Sequence, residues 1–215
     1  MLTKNYAKFI FDMDGTLVDS KEIVEKAWTI WANKHDIDVE SILAVSHGRP
    51  AADVIREVMP QLDVAKEIEY LEVFELKNVD AVKPIPGAIE FVSQLSEDDW
   101  AIFTSAPREL AVSRLKAASM PIPDVLITVE DVVKGKPNPE GYLLAAEKLG
   151  VNAEQCLVFE DAEAGIRSAL AAGSKVIAIN AAAPHKVDIE GSVVVEDYFD
   201  VSVCLNNKWI SISKK

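Results

Sequence analysis

Two carboxylates stand one residue apart in Phe9-Ile-Phe-Asp-Met-Asp-Gly-Thr16, where Asp12 and Asp14 close an apolar run just before a glycine. A second acidic pair, Glu160-Asp161, ends the run Cys156-Leu-Val-Phe159. Thr104-Ser105 ends a third run, and Lys136 lies between Gly135 and Pro137. Acids from two strands can hold a hard cation, and that cation, an ammonium group and a hydroxyl can together hold a dianion. Such chemistry needs these groups at one place, so the fold has to bring Asp12 and Asp161 together across most of the chain.

The elements that could do so are legible. Short apolar runs at 8–12, 100–104, 125–128, 156–160 and 175–179 suit strands buried on both faces. Between them, 87–95, 107–118, 139–149 and 163–172 have helical spacing, several with proline near the start or glycine just past the end. This alternation predicts an α/β fold with a doubly wound, mostly parallel sheet, whose ligand crevice lies outside the carboxyl ends of the strands. Every candidate group falls at such an end or in the loop after one.

Segment 21–83 breaks the alternation. It holds only helical patterns, among them Ile23, Ala27, Ile30 and Trp31, and it is too long for a single crossover. It reads as a small helical domain inserted into a core made of 1–20 and 84–215, with Trp28 and Trp31 in its interior. Lys83-Pro-Ile-Pro-Gly87 reads as the returning linker. Near the end, 203–205 and 209–212 around Asn206-Asn207 read as a hairpin appended to the sheet.

With 215 residues, 49% of them hydrophobic, the chain can bury one sizeable core, and its formal net charge of −13 disfavours nucleic acid or an anionic membrane surface as partner. No apolar run approaches the ~18 residues of a spanning helix, and MLTKNYAKF lacks the apolar stretch of a signal peptide. A cytoplasmic protein is expected. Cys156 and Cys204 match neither a disulfide framework nor a metal spacing, and read as small buried hydrophobes.

Residues 12–19 (Asp-Met-Asp-Gly-Thr-Leu-Val-Asp), Thr104, Lys136-Pro137 and Phe159-Glu-Asp-Ala-Glu-Ala-Gly165 stand in the order of the four motifs of the haloacid dehalogenase superfamily. The chain resembles that superfamily over essentially its whole length, above all the bacterial sugar-phosphate and glycerol-phosphate phosphatases, and the insert resembles the family's small α-helical cap. The resemblance implies a Rossmann-like core and a Mg²⁺-dependent phosphomonoester hydrolase acting on a small phosphorylated sugar or polyol. Asp12 would attack phosphorus to give an aspartyl phosphate. Asp14 would protonate the leaving alkoxide, then take a proton from the attacking water. The Mg²⁺ site would comprise Asp12, Glu160, Asp161 and the backbone carbonyl of Asp14. Lys136 would hold nucleophile and phosphate, while Thr104 and the backbone of Ser105 and Ala106 would hold the remaining phosphate oxygens.

Other readings compete with these. An Asp-x-Asp-Gly string suits a calcium loop, but Ile23 stands where the bidentate Glu is required. Asp19 and Ser20 read as the cap of the helix that starts at 21. His47-Gly48-Arg49 falls between helices of the insert and, as a cap loop facing the crevice, would contact an anionic substrate. A β-phosphoglucomutase-type phosphomutase is the alternative enzyme, although Val24 stands where that family places a cap histidine. Dehalogenation requires neither Asp14 nor a pair like Glu160-Asp161. A non-catalytic phospho-aspartate signalling switch uses acids, Thr and Lys on a similar sheet, but without a helical insert after the first strand. His35 and His185 carry no partner signal, Lys4, Lys214 and Lys215 read as solvated ends, and a monomer or weak homodimer is expected.

Overall fold

In a computed structural model, residues 5–182, 187–206 and 209–214 are described. Strands β1 (Lys8–Phe11), β2 (Trp100–Phe103), β3 (Val125–Ile127), β4 (Cys156–Glu160), β5 (Lys175–Ile179) and β6 (Ser192–Val195) form one parallel sheet in the order β3-β2-β1-β4-β5-β6. The helices are α1 (Lys21–Lys34), α2 (Val39–Ser46), α3 (Ala51–Val58), α4 (Val64–Lys77), α5 (Ala88–Val92), α6 (Arg108–Ala117), α7 (Glu140–Lys148) and α8 (Glu163–Ala171).

Each strand is apolar at consecutive positions because helices cover both faces. Phe9, Phe11, Ile102, Leu157 and Phe159 point to one side, against Phe91 of α5 and Leu115 of α6. Ile10, Ala101, Phe103 and Val158 point to the other, against Tyr142 of α7 and Ile166 of α8. Phe11 stacks on Phe159 at 4.8 Å, and each such ring contributes ~1.5–3 kcal/mol through burial alone. Register matters more for function. Phe11 lies opposite both Ile102 and Phe159, so β1, β2 and β4 end level, and the Asp12 amide donates to Phe159 O at 2.9 Å.

Helices α1 to α4 lie between β1 and β2 and surround a cluster of their own, with Trp28, Trp31, Ile42, Val54, Ile55 and Leu71 buried. Trp28 and Trp31 meet edge to face at 5.5 Å, in the interior as expected. Glu67 on α4 accepts from Trp31 Nε1 at 2.8 Å and Lys34 Nζ at 2.9 Å, and lies 2.9 Å from His35 Nε2. The partner of His35, invisible in the sequence, is therefore a carboxylate one helix away.

Several expectations need correction. β6 had no counterpart in the sequence reading, since its only buried residue is Val195. Lys83–Pro84 is not only a linker: it pairs antiparallel with Val18–Asp19, in a two-stranded ribbon where Pro84 costs little. The strands Val201–Asn206 and Trp209–Lys214 do pair, but with Asn5–Tyr6 in a separate three-stranded sheet rather than at an edge of the main one. Asn207 lies outside the described residues, as do His185, Lys4 and Lys215 and the side chains of Cys204 and Lys214. Cys156 is fully buried, and burial pushes its thiol up to about 12, as befits an inert core residue.

Candidate active site

The carboxyl ends of β1 and β4 carry a buried acidic cluster. Oxygens of Asp12, Glu160 and Asp161 lie within 4.8 Å of one another. Lys136, from the loop after β3, is buried among them and donates to Asp12 Oδ1 and, at 2.6 Å, to Glu160 Oε1. Tyr142 of α7 donates to the same Glu160 oxygen at 2.9 Å, and the amides of Asp161 and Ala162 donate to the other at 2.9 and 3.0 Å. Two glycines make this density possible. A Cβ on Gly15, at φ +81°, would stand 1.9 Å from Asp161 Oδ2, and one on Gly165 would stand 1.6 Å from Glu160 Oε1.

Three acids against one ammonium leave the cluster short of positive charge. Burial raises the Asp12 carboxyl well above its usual range, and Glu160 and Asp161 raise it further against the pull of Lys136. Asp161 accepts from Thr16 Oγ1 at 3.2 Å through Oδ1, whereas its Oδ2 is buried without a hydrogen-bond partner among the described residues. An all-oxygen donor set, excess negative charge and an unsatisfied carboxylate oxygen fit a divalent hard cation. Glu160 already has donors at both oxygens, so Asp12 and Asp161 offer it the freer lone pairs.

Asp14 belongs to a different network. Its Oδ1 accepts from Ser20 Oγ at 2.6 Å and its Oδ2 from Arg114 of α6 at 2.8 Å, and Arg114 also donates to Glu75 of α4. Burial raises the Glu75 carboxyl, with Arg114 opposing and Asp14 adding to the shift. Ser20 thus serves Asp14 rather than its own helix: α1 has no side-chain cap bond, while Asp19 Oδ1 accepts the Lys21 amide at 3.2 Å. Sequence reasoning missed Arg114, Glu75 and Tyr142. One signal was available, because Arg114 follows Leu110 by four residues and falls on the buried stripe with Ala111 and Leu115.

Thr104 stands one position beyond the level of Asp12 on the neighbouring strand, buried, and its Oγ1 accepts the Ala106 amide at 3.1 Å. That amide, expected to face phosphate, is engaged here. Ser105 Oγ donates to Gly48 O at 3.1 Å, which ties the loop after β2 to the insert. The loop 47–49 does face the crevice: a Cβ on Gly48 would meet Ala162 at 2.4 Å, and His47 Nε2 lies 2.9 Å from Asp161 Oδ2 at angles short of a hydrogen bond. Arg49 turns aside, donating to Val45 O at 3.3 Å and Glu57 Oε2 at 2.7 Å. It lines a cavity of about 600 Å³ together with Asp53, Lys134, Lys136 and Asn138.

A family model of haloacid dehalogenase-like hydrolases matches residues 8–173, which include the carboxyl ends of β1 to β4. The chain belongs to the haloacid dehalogenase-like hydrolases. Among related members of the family, hexitol phosphatase A of Escherichia coli (strain K12) is 44% identical over 81% of this chain and 83% of its own length. The 2-deoxyglucose-6-phosphate phosphatase 1 of Saccharomyces cerevisiae is 33% identical over 93% of this chain and 91% of its own. A solved hydrolase from Pseudomonas syringae superposes with a TM-score of 0.78 at 25% identity, covering 89% of this chain and 94% of that one. In this haloacid dehalogenase-like chain Lys136 joins the segments that carry Asp12 and Glu160, and the phosphatase names of its relatives give the phospho-aspartate switch no support. Among the described residues, no helix is long and apolar enough to cross a membrane.

Proposed function

We propose that this hydrolase is a Mg²⁺-dependent phosphatase of small phosphorylated sugars or polyols, with 21–83 as a cap domain over a core of 1–20 and 84–215. The observation that carries the reading is the buried set Asp12, Glu160 and Asp161 at the ends of β1 and β4 around Lys136 from the loop after β3, with Asp161 Oδ2 making no hydrogen bond among the described residues and facing His47 Nε2 at 2.9 Å. The named relatives, a hexitol phosphatase and a sugar-phosphate phosphatase, support the substrate class.

In this mechanism Asp12 attacks phosphorus in line with the leaving oxygen, and the P–O bond to the sugar breaks as the aspartyl phosphate forms. Asp14 gives its proton to the departing alkoxide. It then takes a proton from the water that attacks the aspartyl phosphate, releasing inorganic phosphate and restoring Asp12. Lys136 holds Asp12 in place and offsets the charge of the transferring group, itself anchored by Glu160 and, through that carboxylate, by Tyr142. Asp12, Asp161 and the backbone carbonyl of Asp14 would hold Mg²⁺, with Glu160 beside them, and the ion when bound supplies charge neutralisation between two anions. Thr104, Ser105 and Ala106 would take the remaining phosphate oxygens. His47, Gly48 and Arg49 would meet the rest of the substrate from the cap, and closure of that cap excludes stray water.

A small phosphorylated metabolite is the expected partner, in a cytoplasmic setting and as a monomer or weak homodimer. Phosphate release from a panel of hexitol, hexose and glycerol phosphates, with and without Mg²⁺, tests the reading. Turnover of at least one polyol or sugar phosphate that stops in chelator is expected, and Mg²⁺-independent turnover would refute it. A phosphomutase would instead return an isomeric phosphorylated sugar with little free phosphate.

A further inference from the structure

Arg114 is the one guanidinium that touches both a residue of the proposed chemistry and the cap among the described residues. It is 4% exposed, on the inner face of α6, and its two terminal nitrogens are divided between carboxylates of different regions. Nη1 donates to Asp14 in the loop after β1, and Nη2 donates to Glu75 in the last turn of α4. Glu75 is itself buried, only 8% exposed. Immediately beyond α4 the chain returns to the core through Lys83–Pro84, paired with Val18–Asp19 between Asp14 and α1. Asp14, Ser20, Arg114 and Glu75 therefore surround the junction of the two regions.

We propose that Arg114 is a positioning residue for proton transfer: it fixes the plane of the Asp14 carboxyl and, through Glu75, makes that placement depend on the seating of the cap. The inference rests on the reading of Asp14 as acid and base. A guanidinium is suited to the task because its donors diverge in one rigid plane and so fix the planes of the carboxylates they meet, whereas an ammonium, a point charge, sets no such plane. Ser20 alone leaves Asp14 Oδ2 without a partner and the ring of contacts open toward the cap. The contact spends one of very few buried cations on a residue away from the metal cluster, where a merely structural arginine would need no carboxylate of the reaction loop.

Leaving-group dependence tests this, because an alkoxide must be protonated as it departs while p-nitrophenolate need not be. With a polyol phosphate, Arg114→Lys should lower kcat/KM about a hundredfold and Glu75→Gln about tenfold, kcat/KM being set by phosphoryl transfer to Asp12 and not by the later hydrolysis that all substrates share. On p-nitrophenyl phosphate each loss should be about tenfold smaller than on the polyol phosphate. In an Asp14→Asn background Arg114→Lys should cost less than about threefold more, since the group it positions is gone. Equal losses on the two substrates, or a full further loss in the Asp14→Asn background, would overturn the inference. If Asp14→Asn itself loses kcat/KM equally on both substrates, the reading of Asp14 as acid falls and takes the inference with it. If Asp14→Asn is selective and Arg114→Lys is not, only the inference falls. Should Arg114→Lys fail to fold by thermal melting, Glu75→Gln and its double variant with Asp14→Asn decide the matter by the same criteria.

Discussion

Two buried charged networks sit in the two regions of this chain, and they are built to opposite rules. In the cap, Glu67 is one carboxylate surrounded by the indole of Trp31, the ammonium of Lys34 and the ring of His35. In the core, Asp12, Glu160 and Asp161 are three carboxylates around Lys136, and Asp161 Oδ2 makes no hydrogen bond among the described residues, with His47 Nε2 facing it at 2.9 Å. Their titration differs accordingly. Burial opposes ionisation of Glu67, but its donors more than offset that and lower its pKa. Burial and like charge instead raise Asp12. A network that only has to hold helices together can be fully satisfied, whereas one that must accept a cation and a dianion has to be left short of partners.

The contrast breaks most visibly at Asp12. Asp12→Asn should lower kcat by at least about ten-thousandfold, since the amide is no nucleophile, while thermal melting stays within a few degrees of wild type because one of three crowded charges has gone. A melting point collapsed together with activity would make the core network structural like that of the cap. Next in size is removal of the cation. Chelation should abolish at least about 99% of turnover, and adding Mg²⁺ back should restore it and raise the melting temperature, because only the folded core gathers the acids.

The cap network should answer in the other currency. Glu67→Ala leaves Trp31 Nε1 and Lys34 without their acceptor and should cost about 2 kcal/mol, a fall of ~4–8 °C in melting temperature for a chain of this size. Turnover of p-nitrophenyl phosphate at saturation should change less than about threefold, as no group of the chemistry is touched. The smallest expected effect is in pH. A carboxyl with a lowered folded pKa contributes stability that is fully present above its unfolded value, 4.5, and is lost as pH falls through the lower folded value. Melting temperature should therefore decline below pH 4.5 less steeply in Glu67→Gln than in wild type. Equal acid slopes would mean that Glu67 contributes no such linkage.

Local pattern carried much of this molecule. The runs read as strands at 8–12, 100–104, 125–128, 156–160 and 175–179 are strands β1 to β5 within a residue at their ends. Helices buried against both faces demand continuous apolar runs, and that demand is written in consecutive residues. The acids of the site were legible for a related reason, since each ends such a run. What failed to show depended on partners elsewhere in the chain. β6 is a strand because Lys175–Ile179 offers it an edge, and the hairpin strands make a separate sheet because Asn5–Tyr6 pairs with them. Ser20 reads as a helix cap by type and position, yet its hydroxyl goes to Asp14, a shorter contact with a charged acceptor.

The periodicities are written in the chain alone, and with them the α/β alternation, a helical insert after the first strand and the acids and lysine placed at strand ends and loops. Those features follow from bonds and side chains within a few residues, which is why they can be read without knowing the fold. Only the tertiary structure decided that Lys136 is shared by Asp12 and Glu160, that Asp161 keeps one oxygen unsatisfied, and that Arg114 is divided between Asp14 and Glu75. Each of those contacts joins residues 24 or more positions apart. Their geometry is set by strand register and helix packing, to which no neighbouring residue in the chain testifies.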